Sequence, residues 1–176
     1  MDFIKKMLLD KDEISSIVKS LGEKISKDYE GKKLLLLSLL KGSVIFTADL
    51  MREITIPCQV DFMAVSSYTG TRNGGGKVNI IKDVTRDISG WDVLIVEDIL
   101  ESGYTLDCVV NMLKQRNPES VKICALLDKP NSRKTQIEAE YVGKKIPDEF
   151  VIGYGLDYNE KYRNLPFIGV IDPKYI

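Results

Sequence analysis

Two adjacent carboxylates, Glu97 and Asp98, end a continuous apolar stretch and stand just before a loop of small residues. Carboxylate oxygens accept hydrogen bonds from sugar hydroxyls, and they are ligands that Mg²⁺ prefers. The loop contains Ser102, Gly103 and Thr105, and an apolar helical pattern begins behind it. Glycine lets the backbone approach an anion closely, hydroxyl groups donate to it, and free N–H groups at a helix N-terminus point toward it. The segment therefore predicts a phosphate site beside a group that carries hydroxyls.

The three acids of this segment, Glu97, Asp98 and Glu101, would repel a phosphate that lay directly against them. The repulsion is relieved if they face sugar hydroxyls, or Mg²⁺ that bridges to a second phosphate. A ribose with phosphates at both ends fits this arrangement. The segment is neither a Walker loop, because the lysine of that motif is absent, nor a G-x-G-x-x-G fingerprint. The alternative is an ordinary strand-to-helix turn in which Ser102 caps the helix.

The absence of histidine from all 176 residues excludes whole classes of chemistry. A Ser-His-Asp triad, a Cys-His pair and a histidine-ligated metal are impossible, so acid-base work must come from carboxylates, Lys, Tyr or Cys. The three cysteines, Cys58, Cys108 and Cys124, lie in or beside apolar stretches and are too far apart for a zinc site. We expect them to be reduced core thiols of a cytoplasmic protein.

The composition indicates one folded domain over residues 1–176, with 44% hydrophobic and 29% charged residues. The 25 basic and 26 acidic residues give a net charge of −1, which argues against a nucleic-acid partner. The most apolar run, Leu34 to Leu40, is too short to span a bilayer, so no membrane partner is expected. The segment from Met1 to Asp10 has no long apolar core, and we expect no signal peptide there.

The elements that must position these residues follow an alternating pattern. Apolar residues at helical spacing from Ile14 to Ile25 predict a first helix, and two more helices are predicted over Val44–Ile54 and from Leu106 to about Asn117. Apolar or alternating runs predict strands at Leu34–Leu40, Gln59–Val65, Lys77–Lys82, Asp92–Val96, Val121–Leu127, Glu140–Val142, Phe150–Tyr154 and Phe167–Ile171. Alternating strands and helices are typical of an α/β fold with a parallel sheet covered on both faces. Ligands of such sheets bind beyond the carboxyl ends of the strands, here after Leu40, Val96, Leu127 and Tyr154.

The segment from Val96 to Leu106 resembles the phosphoribosyl-pyrophosphate signature of the type I phosphoribosyltransferases. Further segments resemble the 6-oxopurine branch of that family, the bacterial hypoxanthine (hypoxanthine-guanine) phosphoribosyltransferases; they lie at 40–43, 66–68, 127–130, 150–160 and 163–166. The resemblance covers nearly the whole chain in order. It implies the family's fold, a central parallel sheet flanked by helices, with a small hood formed by the chain termini and a flexible lid loop.

The resemblance also implies the parts of the site that hold the sugar and its phosphates. Glu97 and Asp98 would meet the ribose hydroxyls and a magnesium ion, and Asp157 would hold a second one. The loop of Glu101, Ser102, Gly103, Tyr104 and Thr105 would hold the 5′-phosphate. Lys41 and Gly42, next to a cis peptide after Leu40, would bind pyrophosphate together with Arg163. A loop glycine beside a solvated lysine is the alternative for Lys41 and Gly42.

The purine base would meet a second group of residues. Lys129 can donate a hydrogen bond to the 6-oxo group of a purine. The amino group of adenine could not accept such a bond. Phe150 would stack on the base, with core packing as its alternative, and backbone groups around Val151 and Asp157 would meet the purine edge. Ser67 and Tyr68 would lie on the lid, and the glycine-rich stretch from Ser66 to Lys77 indicates a mobile loop or a long hairpin.

One residue departs from the family pattern, because Glu101 stands where an aspartate usually serves as the base. Glutamate keeps the carboxylate and adds one methylene, so we expect Glu101 to retain the role, either as a base or as an electrostatic stabiliser. The implied reaction transfers a phosphoribosyl group from phosphoribosyl pyrophosphate to a 6-oxopurine in a homodimer or homotetramer. The preferred purine remains open among hypoxanthine, guanine and xanthine. A regulator that binds nucleic acid on the same fold is the alternative from another class, and it would need a basic face.

Overall fold

The structure is a computed structural model that describes residues 2–68 and 77–175. Its strands are β1 (Ile4–Leu9), β2 (Leu34–Leu40), β3 (Cys58–Tyr68), β4 (Lys77–Lys82), β5 (Asp92–Leu100), β6 (Ser120–Asp128), β7 (Tyr141–Lys145), β8 (Val151–Ile152) and β9 (Ile168–Ile171). The helices are α1 (Lys11–Asp28), α2 (Val44–Glu53) and α3 (Tyr104–Lys114). Two short 3₁₀ turns lie at Pro130–Ser132 and Pro173–Tyr175.

Six strands form the main sheet in the order β4-β3-β2-β5-β6-β7. Every neighbouring pair is parallel except β3 and β4. The chain moves from β2 outward to β3, and later from β5 outward to β6, so the strand order reverses between β2 and β5. The carboxyl ends of these two strands therefore flank the switch point at which α/β sheets bind ligands.

Both faces of this sheet are buried, as the continuous apolar strands predict. Alternate residues of β2 face opposite sides, so Leu36 packs under α1 and α2 while Leu37 packs under α3. The Asp10 carboxylate caps α1 by accepting from the Glu13 N–H at 2.8 Å, and the Glu13 carboxylate accepts from the Asp10 N–H at 2.9 Å. The capping box fixes where α1 begins and so brings its apolar stripe onto the sheet.

The termini of the chain form a second, three-stranded sheet in the order β1-β9-β8. This sheet is the predicted hood, and β1 is its one strand that the sequence pattern did not reveal. In β1 only Leu9 is fully buried, and Lys5 and Lys6 interrupt the apolar run. The strand forms because its backbone pairs antiparallel with β9, from Ile4 opposite Ile171 to Leu9 opposite Ile168.

Several predicted bounds are confirmed and some are corrected. The strands at Leu34–Leu40 and Lys77–Lys82 have the predicted ends. The strand predicted to end at Val96 continues to Leu100, because β6 goes on pairing with it up to Leu100 opposite Asp128. The strand predicted to end at Tyr154 stops at Ile152, since Gly153 and Tyr154 both have positive φ and turn the chain.

Two further expectations concern the lid and the membrane. Ser67 and Tyr68 belong to the backbone of β3, where they lie opposite Val78 and Lys77 of β4. Most of the predicted lid, residues 69–76, lies outside the described residues. Across the described ranges, no helix has both the length and the apolar character needed to cross a membrane.

Candidate active site

Glu97 and Asp98 lie near the end of β5, inside the strand and next to the point where the strand order reverses. Asp98 is 7% exposed, and its Oδ1 accepts from the Ile99 N–H at 2.8 Å. Glu97 Oε2 is inaccessible and finds no hydrogen-bond donor in the described part of the chain. Burial, reinforced by the neighbouring Asp98 charge, raises the pKa of Glu97 well above its usual value. The pair therefore needs a cation or hydroxyl donors to be stable when ionised.

Glycines bring one loop against this acid pair and a second loop against the first. A Cβ on Gly42 would lie 1.7 Å from Asp98 Oδ2, and a Cβ on Gly155 would lie 2.0 Å from the Gly42 carbonyl oxygen. Gly42 follows a cis peptide bond between Leu40 and Lys41, and Gly155 has a φ of +101°. Only glycine fits at either position. The segment after β2, the end of β5 and the turn after β8 thus meet in van der Waals contact.

Charged side chains join the same loops. Lys41 Nζ lies 2.9 Å from Glu160 Oε2, and Arg163 lies 2.8 Å from Asp157 Oδ1. Arg163 also donates to the Gly155 carbonyl at 2.8 Å, and Asp157 Oδ2 accepts from the Glu160 N–H at 2.9 Å. Three predicted residues, Lys41, Asp157 and Arg163, are therefore linked. Their common partner Glu160 was missed as a site residue, although it stands in the segment that resembles the family.

The predicted phosphate loop precedes α3. Gly103 is the N-cap residue of α3, with a φ of +85°, and no described side chain caps the first N–H groups. The alternative in which Ser102 caps this helix is therefore wrong. A cavity of about 240 Å³ opens at the loop, and its lining consists of Glu97, Ile99, Leu100, Glu101, Ser102, Gly103, Thr105 and Leu106. Uncapped N–H groups that border a cavity can bind an anion.

Lys129 and Glu101, which the sequence assigned to purine recognition and to proton transfer, form an ion pair. Lys129 is 4% exposed, and its N–H donates to the Leu100 carbonyl at 2.9 Å. Asp148 lies farther from the ammonium group, with Oδ1 3.9 Å from Nζ. Glu101 is half-exposed at the cavity, so the pair places a buried cation and an accessible carboxylate side by side.

The hood supplies the aromatic residue. Phe150 is 45% exposed and stands edge-on to Tyr158, with ring centroids 5.7 Å apart and an interplanar angle of 87°. Core packing, the alternative for Phe150, is therefore wrong. Val151 begins β8 and is buried against Val170 of β9. An exposed ring next to a fixed strand end can stack on a flat ligand.

The three cysteines differ in burial. Cys124 lies in the core, where burial raises its pKa, while Cys58 and Cys108 are half-buried.

In residues 2–68 and 77–175, no group of three or more His, Cys, Asp or Glu side chains is gathered as a metal site. The adjacent Glu97 and Asp98 bring two carboxylates together near the end of β5.

Comparison with known proteins agrees with this geometry. Residues 5–159 match the family model described as the phosphoribosyl transferase domain. A hypoxanthine-guanine phosphoribosyltransferase of Staphylococcus aureus is 53% identical over 97% of this chain and 96% of its own length. The crystal structure of a hypoxanthine phosphoribosyltransferase from the same organism has a TM-score of 0.95 and 52% identity, covering 99% of this chain and 95% of that one. A hypoxanthine phosphoribosyltransferase of Trypanosoma cruzi, in a ternary substrates complex, has a TM-score of 0.95 at 39% identity over the full length of both chains.

The fold and the site define this chain as an enzyme of the phosphoribosyltransferase family, as the resemblance predicted. Within that family the chain belongs with the hypoxanthine-guanine phosphoribosyltransferases, the transferases of purine salvage.

Proposed function

We propose that residues 1–176 act as one domain that transfers the 5-phosphoribosyl group from phosphoribosyl pyrophosphate to hypoxanthine or guanine, with IMP or GMP and pyrophosphate as products. The observation that carries this proposal is the buried Glu97–Asp98 pair, with an unsatisfied carboxylate oxygen, beside the uncapped start of α3. The pair suits the ribose hydroxyls and a cation, and the helix start suits a phosphate. The names of the relatives support the choice of substrates.

The phosphate and ribose ends of the substrate are assigned to neighbouring segments. The loop from Glu101 to Thr105 binds the 5′-phosphate through backbone N–H groups and the hydroxyls of Ser102 and Thr105. Glu97 and Asp98 accept hydrogen bonds from the ribose 2′- and 3′-hydroxyls. The two assignments are compatible because the cavity at the loop is lined by Glu97 as well as by the loop itself.

The acid pair also fits Mg²⁺. Burial raises the pKa of both carboxyls, and the Asp98 charge raises the pKa of Glu97 further, so ionisation of the pair is disfavoured unless positive charge arrives. Mg²⁺ commonly takes one or two protein carboxylates and completes its shell with phosphate oxygens and water. Glu97 and Asp98 would hold one ion, and Asp157, now paired with Arg163, would hold a second. Bound Mg²⁺ supplies positive charge that offsets the charge of the departing pyrophosphate.

Pyrophosphate is assigned to the segment after β2. Gly42 lets the backbone lie against Asp98, and Lys41 and Arg163 flank it as cations. Burial raises the pKa of Asp98, and the charge of Arg163 acts in the opposite direction and favours ionisation of that carboxyl. Glu160 pairs with Lys41 at 2.9 Å and with Arg163 at 3.2 Å, and Asp157 also pairs with Arg163. We expect pyrophosphate to take the place of the Glu160 carboxylate.

The purine lies between Lys129 and Phe150 in this proposal. The buried ammonium group of Lys129 donates to the 6-oxo group, and the exposed ring of Phe150 stacks on the base. Backbone groups near Val151 and Asp157 meet the opposite edge. Because O6 and N7 are neighbours on the purine, a base bound at Lys129 presents N7 to the adjacent Glu101.

The chemical step follows from these positions. The bond from ribose C1′ to the pyrophosphate oxygen breaks ahead of attack, and the positive charge that builds on the ribose is stabilised by the nearby carboxylates. N9 of the base forms the new bond to C1′, and Glu101 accepts the proton from N7. Lys129 holds the Glu101 carboxylate until the base arrives, so the two side chains position each other.

Association with a second copy is part of the proposal. Val44 and Met51 on α2 are 40% and 43% exposed, which is high for apolar residues on one short helix. Since α2 follows Lys41 and Gly42, contact on this helix would stabilise the pyrophosphate segment. We expect a homodimer or homotetramer, and sedimentation equilibrium measures which of the two forms.

A spectrophotometric assay tests the function directly. The protein is incubated with phosphoribosyl pyrophosphate, Mg²⁺ and one base at a time, either hypoxanthine, guanine, xanthine or adenine. Hypoxanthine and guanine should react and adenine should not, because its amino group cannot accept from Lys129. A preference for xanthine would support the alternative substrate, and failure of all four bases would contradict the proposal. The variant Asp98→Asn is the inactive control.

A further inference from the structure

One segment of the chain binds three successive carbonyl groups, those of the last residue of β5 and of the first two residues of the phosphate loop. The Leu100 carbonyl accepts from the Lys129 N–H at 2.9 Å, the Glu101 carbonyl accepts from Arg133 Nη1 at 3.1 Å, and the Ser102 carbonyl accepts from the Lys134 N–H at 2.9 Å. All three donors belong to residues 129–134, which follow β6. We call this segment the strap.

The strap determines which way the loop faces. A carbonyl oxygen carries negative partial charge, so a carbonyl turned into the cavity would repel a phosphate. Carbonyls that are bonded to the strap face away from the cavity, and this orientation leaves the loop N–H groups for the anion. Hydrogen bonds made before a ligand arrives also spare the cost of ordering the loop when it binds.

Arg133 is the only strap side chain that bonds to a loop carbonyl within the described residues, and it is itself fixed. Its Nη2 pairs with the Asp128 carboxylate, and the two side chains are 15% and 9% exposed. Asp128 is the last residue of β6, so the guanidinium is anchored to the main sheet. One nitrogen of Arg133 binds the sheet while another binds the loop.

Packing continues the contact beyond Arg133. Thr135 and Ile137 lie so close to Gly103 that a Cβ there would be 2.3 Å from Thr135 Oγ1 and 2.5 Å from Ile137 Cγ2. Thr135 Oγ1 also approaches the Ser102 carbonyl at 3.4 Å. The loop is therefore held by hydrogen bonds to the strap and by packing against the residues that follow the strap.

We propose that Arg133, anchored by Asp128, is a positioning residue that orients the phosphate loop for the 5′-phosphate. The inference rests on the proposed function, because it takes the loop as the phosphate site. Arg133 touches the loop backbone and acts on the substrate through the loop N–H groups. The strap also begins with Lys129, so the same segment orients the purine and phosphate ends of the site.

Calorimetric binding of GMP and of guanosine tests this role, because the two ligands differ only in the 5′-phosphate. In Arg133→Gln we expect the affinity for GMP to fall about tenfold, the effect of losing one hydrogen bond to a charged donor. The affinity for guanosine should stay within about twofold of the wild-type value. The KM for phosphoribosyl pyrophosphate should rise, and the KM for the purine should not change. Arg133→Lys keeps the pair with Asp128 and should recover part of the loss, since an ammonium group offers a less fixed geometry.

Arg116→Gln is the matched control, because Arg116 makes a comparable two-nitrogen contact with Asp83, at 2.9 and 2.7 Å, away from the loop. This variant should leave the ratio of the two affinities unchanged. Equal weakening of GMP and guanosine in the Arg133 variants, or no weakening in either, would overturn the inference. If Arg133→Gln does not fold, the same comparison in Arg133→Lys decides. Wild-type protein that binds GMP no better than guanosine would instead contradict the phosphate assignment of the proposed function.

Discussion

At the scale of single residues, Glu101 has the most consequences, because its extra methylene extends the carboxylate by roughly 1.5 Å, about one carbon–carbon bond. The longer side chain reaches the Lys129 ammonium group, and the two form an ion pair in which only Glu101 is accessible. A purine that binds at Lys129, as proposed, must therefore share the ammonium group with Glu101 or displace the Glu101 carboxylate. In the proposed function, Glu101 would thus link recognition of the 6-oxo group to acceptance of the N7 proton.

Removal of this carboxylate tests its part in the chemistry. We expect Glu101→Ala to lower kcat about 10²-fold, the usual contribution of a positioned base. Glu101→Asp keeps the carboxylate and should lose much less. Steady-state turnover with saturating substrates is the measurement. Wild-type turnover in Glu101→Ala would show that this residue neither accepts the proton nor stabilises the charge.

Replacement of the buried lysine tests base recognition. Lys129→Gln should raise the KM for hypoxanthine about tenfold or more, because the charged donor to the 6-oxo group is lost. The KM for phosphoribosyl pyrophosphate should change little. Lys145→Gln is a suitable control, since Lys145 ends β7 at the same edge of the sheet and is exposed. Equal effects on both KM values would indicate general damage rather than lost recognition.

At the scale of the elements, the turn after β8 is fitted to the loop after β2 by a single glycine. Gly155 has a φ of +101° and no space for a Cβ beside the Gly42 carbonyl. Gly31 also has a positive φ, +74°, but no described atom lies within 4 Å of the position that a Cβ would take. The two glycines therefore separate the cost of backbone conformation from the cost of a clash.

Alanine substitutions at these two positions should differ. Gly31→Ala should cost about 1 kcal/mol of unfolding free energy through its positive φ. Gly155→Ala should cost about 3 kcal/mol, because overpacking adds to the same backbone term, and it should also lower turnover. Urea unfolding and an activity assay measure both effects. Similar losses in the two variants would contradict a close contact between the loops.

Asp61 stabilises the junction of β3 and β4 in a way that depends on pH. Burial opposes its ionisation, but hydrogen bonds from the Thr85 N–H at 2.8 Å and the Phe62 N–H at 2.7 Å outweigh it. Together with the Thr85 hydroxyl and Lys82, they lower the pKa of Asp61 to about 2. A lowered pKa stabilises the fold above the unfolded value, near 4, and this stabilisation is lost as the pH falls from 4 toward 2.

The corresponding variant should show the same dependence. Asp61→Asn should cost about 2 kcal/mol of unfolding free energy at pH 7, and the difference from wild type should shrink between pH 4 and pH 2. Urea unfolding over this range measures it. Asp2→Asn serves as the control, because Asp2 is exposed. A difference that stays constant with pH would argue against the charge of Asp61 as the cause.

The elements and site residues that the sequence predicted are those with a local signal. The strand Leu34–Leu40 is apolar except for Ser38, and the structure gives it the predicted ends. The strand β1 was missed because its pairing with β9 lies far along the chain. Glu160 was missed for a similar reason, since Lys41 is 119 residues away along the chain and no local pattern indicates an ion pair over that distance. Arg133 was missed because its bond to the Glu101 carbonyl, 32 residues away, depends on how the loop folds back onto the segment after β6.

At the scale of the whole molecule, the ligands should stabilise the fold through the acid pair. Phosphoribosyl pyrophosphate with Mg²⁺, at about 100 times its dissociation constant, should add about 2.7 kcal/mol to the unfolding free energy. Chelation of the metal should remove most of this gain, and Asp98→Asn should remove the part that depends on Mg²⁺. Thermal melts with and without chelator measure it. An unchanged Tm shift after chelation would argue against a metal at the acid pair.

The hood has a consequence for the order in which the molecule assembles. Ile4 of β1 lies opposite Ile171 of β9, so this ladder closes over nearly the entire length of the polypeptide. Contacts between residues so distant along the chain form late, because closing a long loop costs entropy before the strand pairing can contribute favourable energy. The main sheet, built largely from neighbouring segments, can form earlier and bring the two ends together. During folding, the proposed sugar-phosphate site on the main sheet should therefore form before the proposed base site. The base site needs Phe150, whose position depends on assembly of the hood.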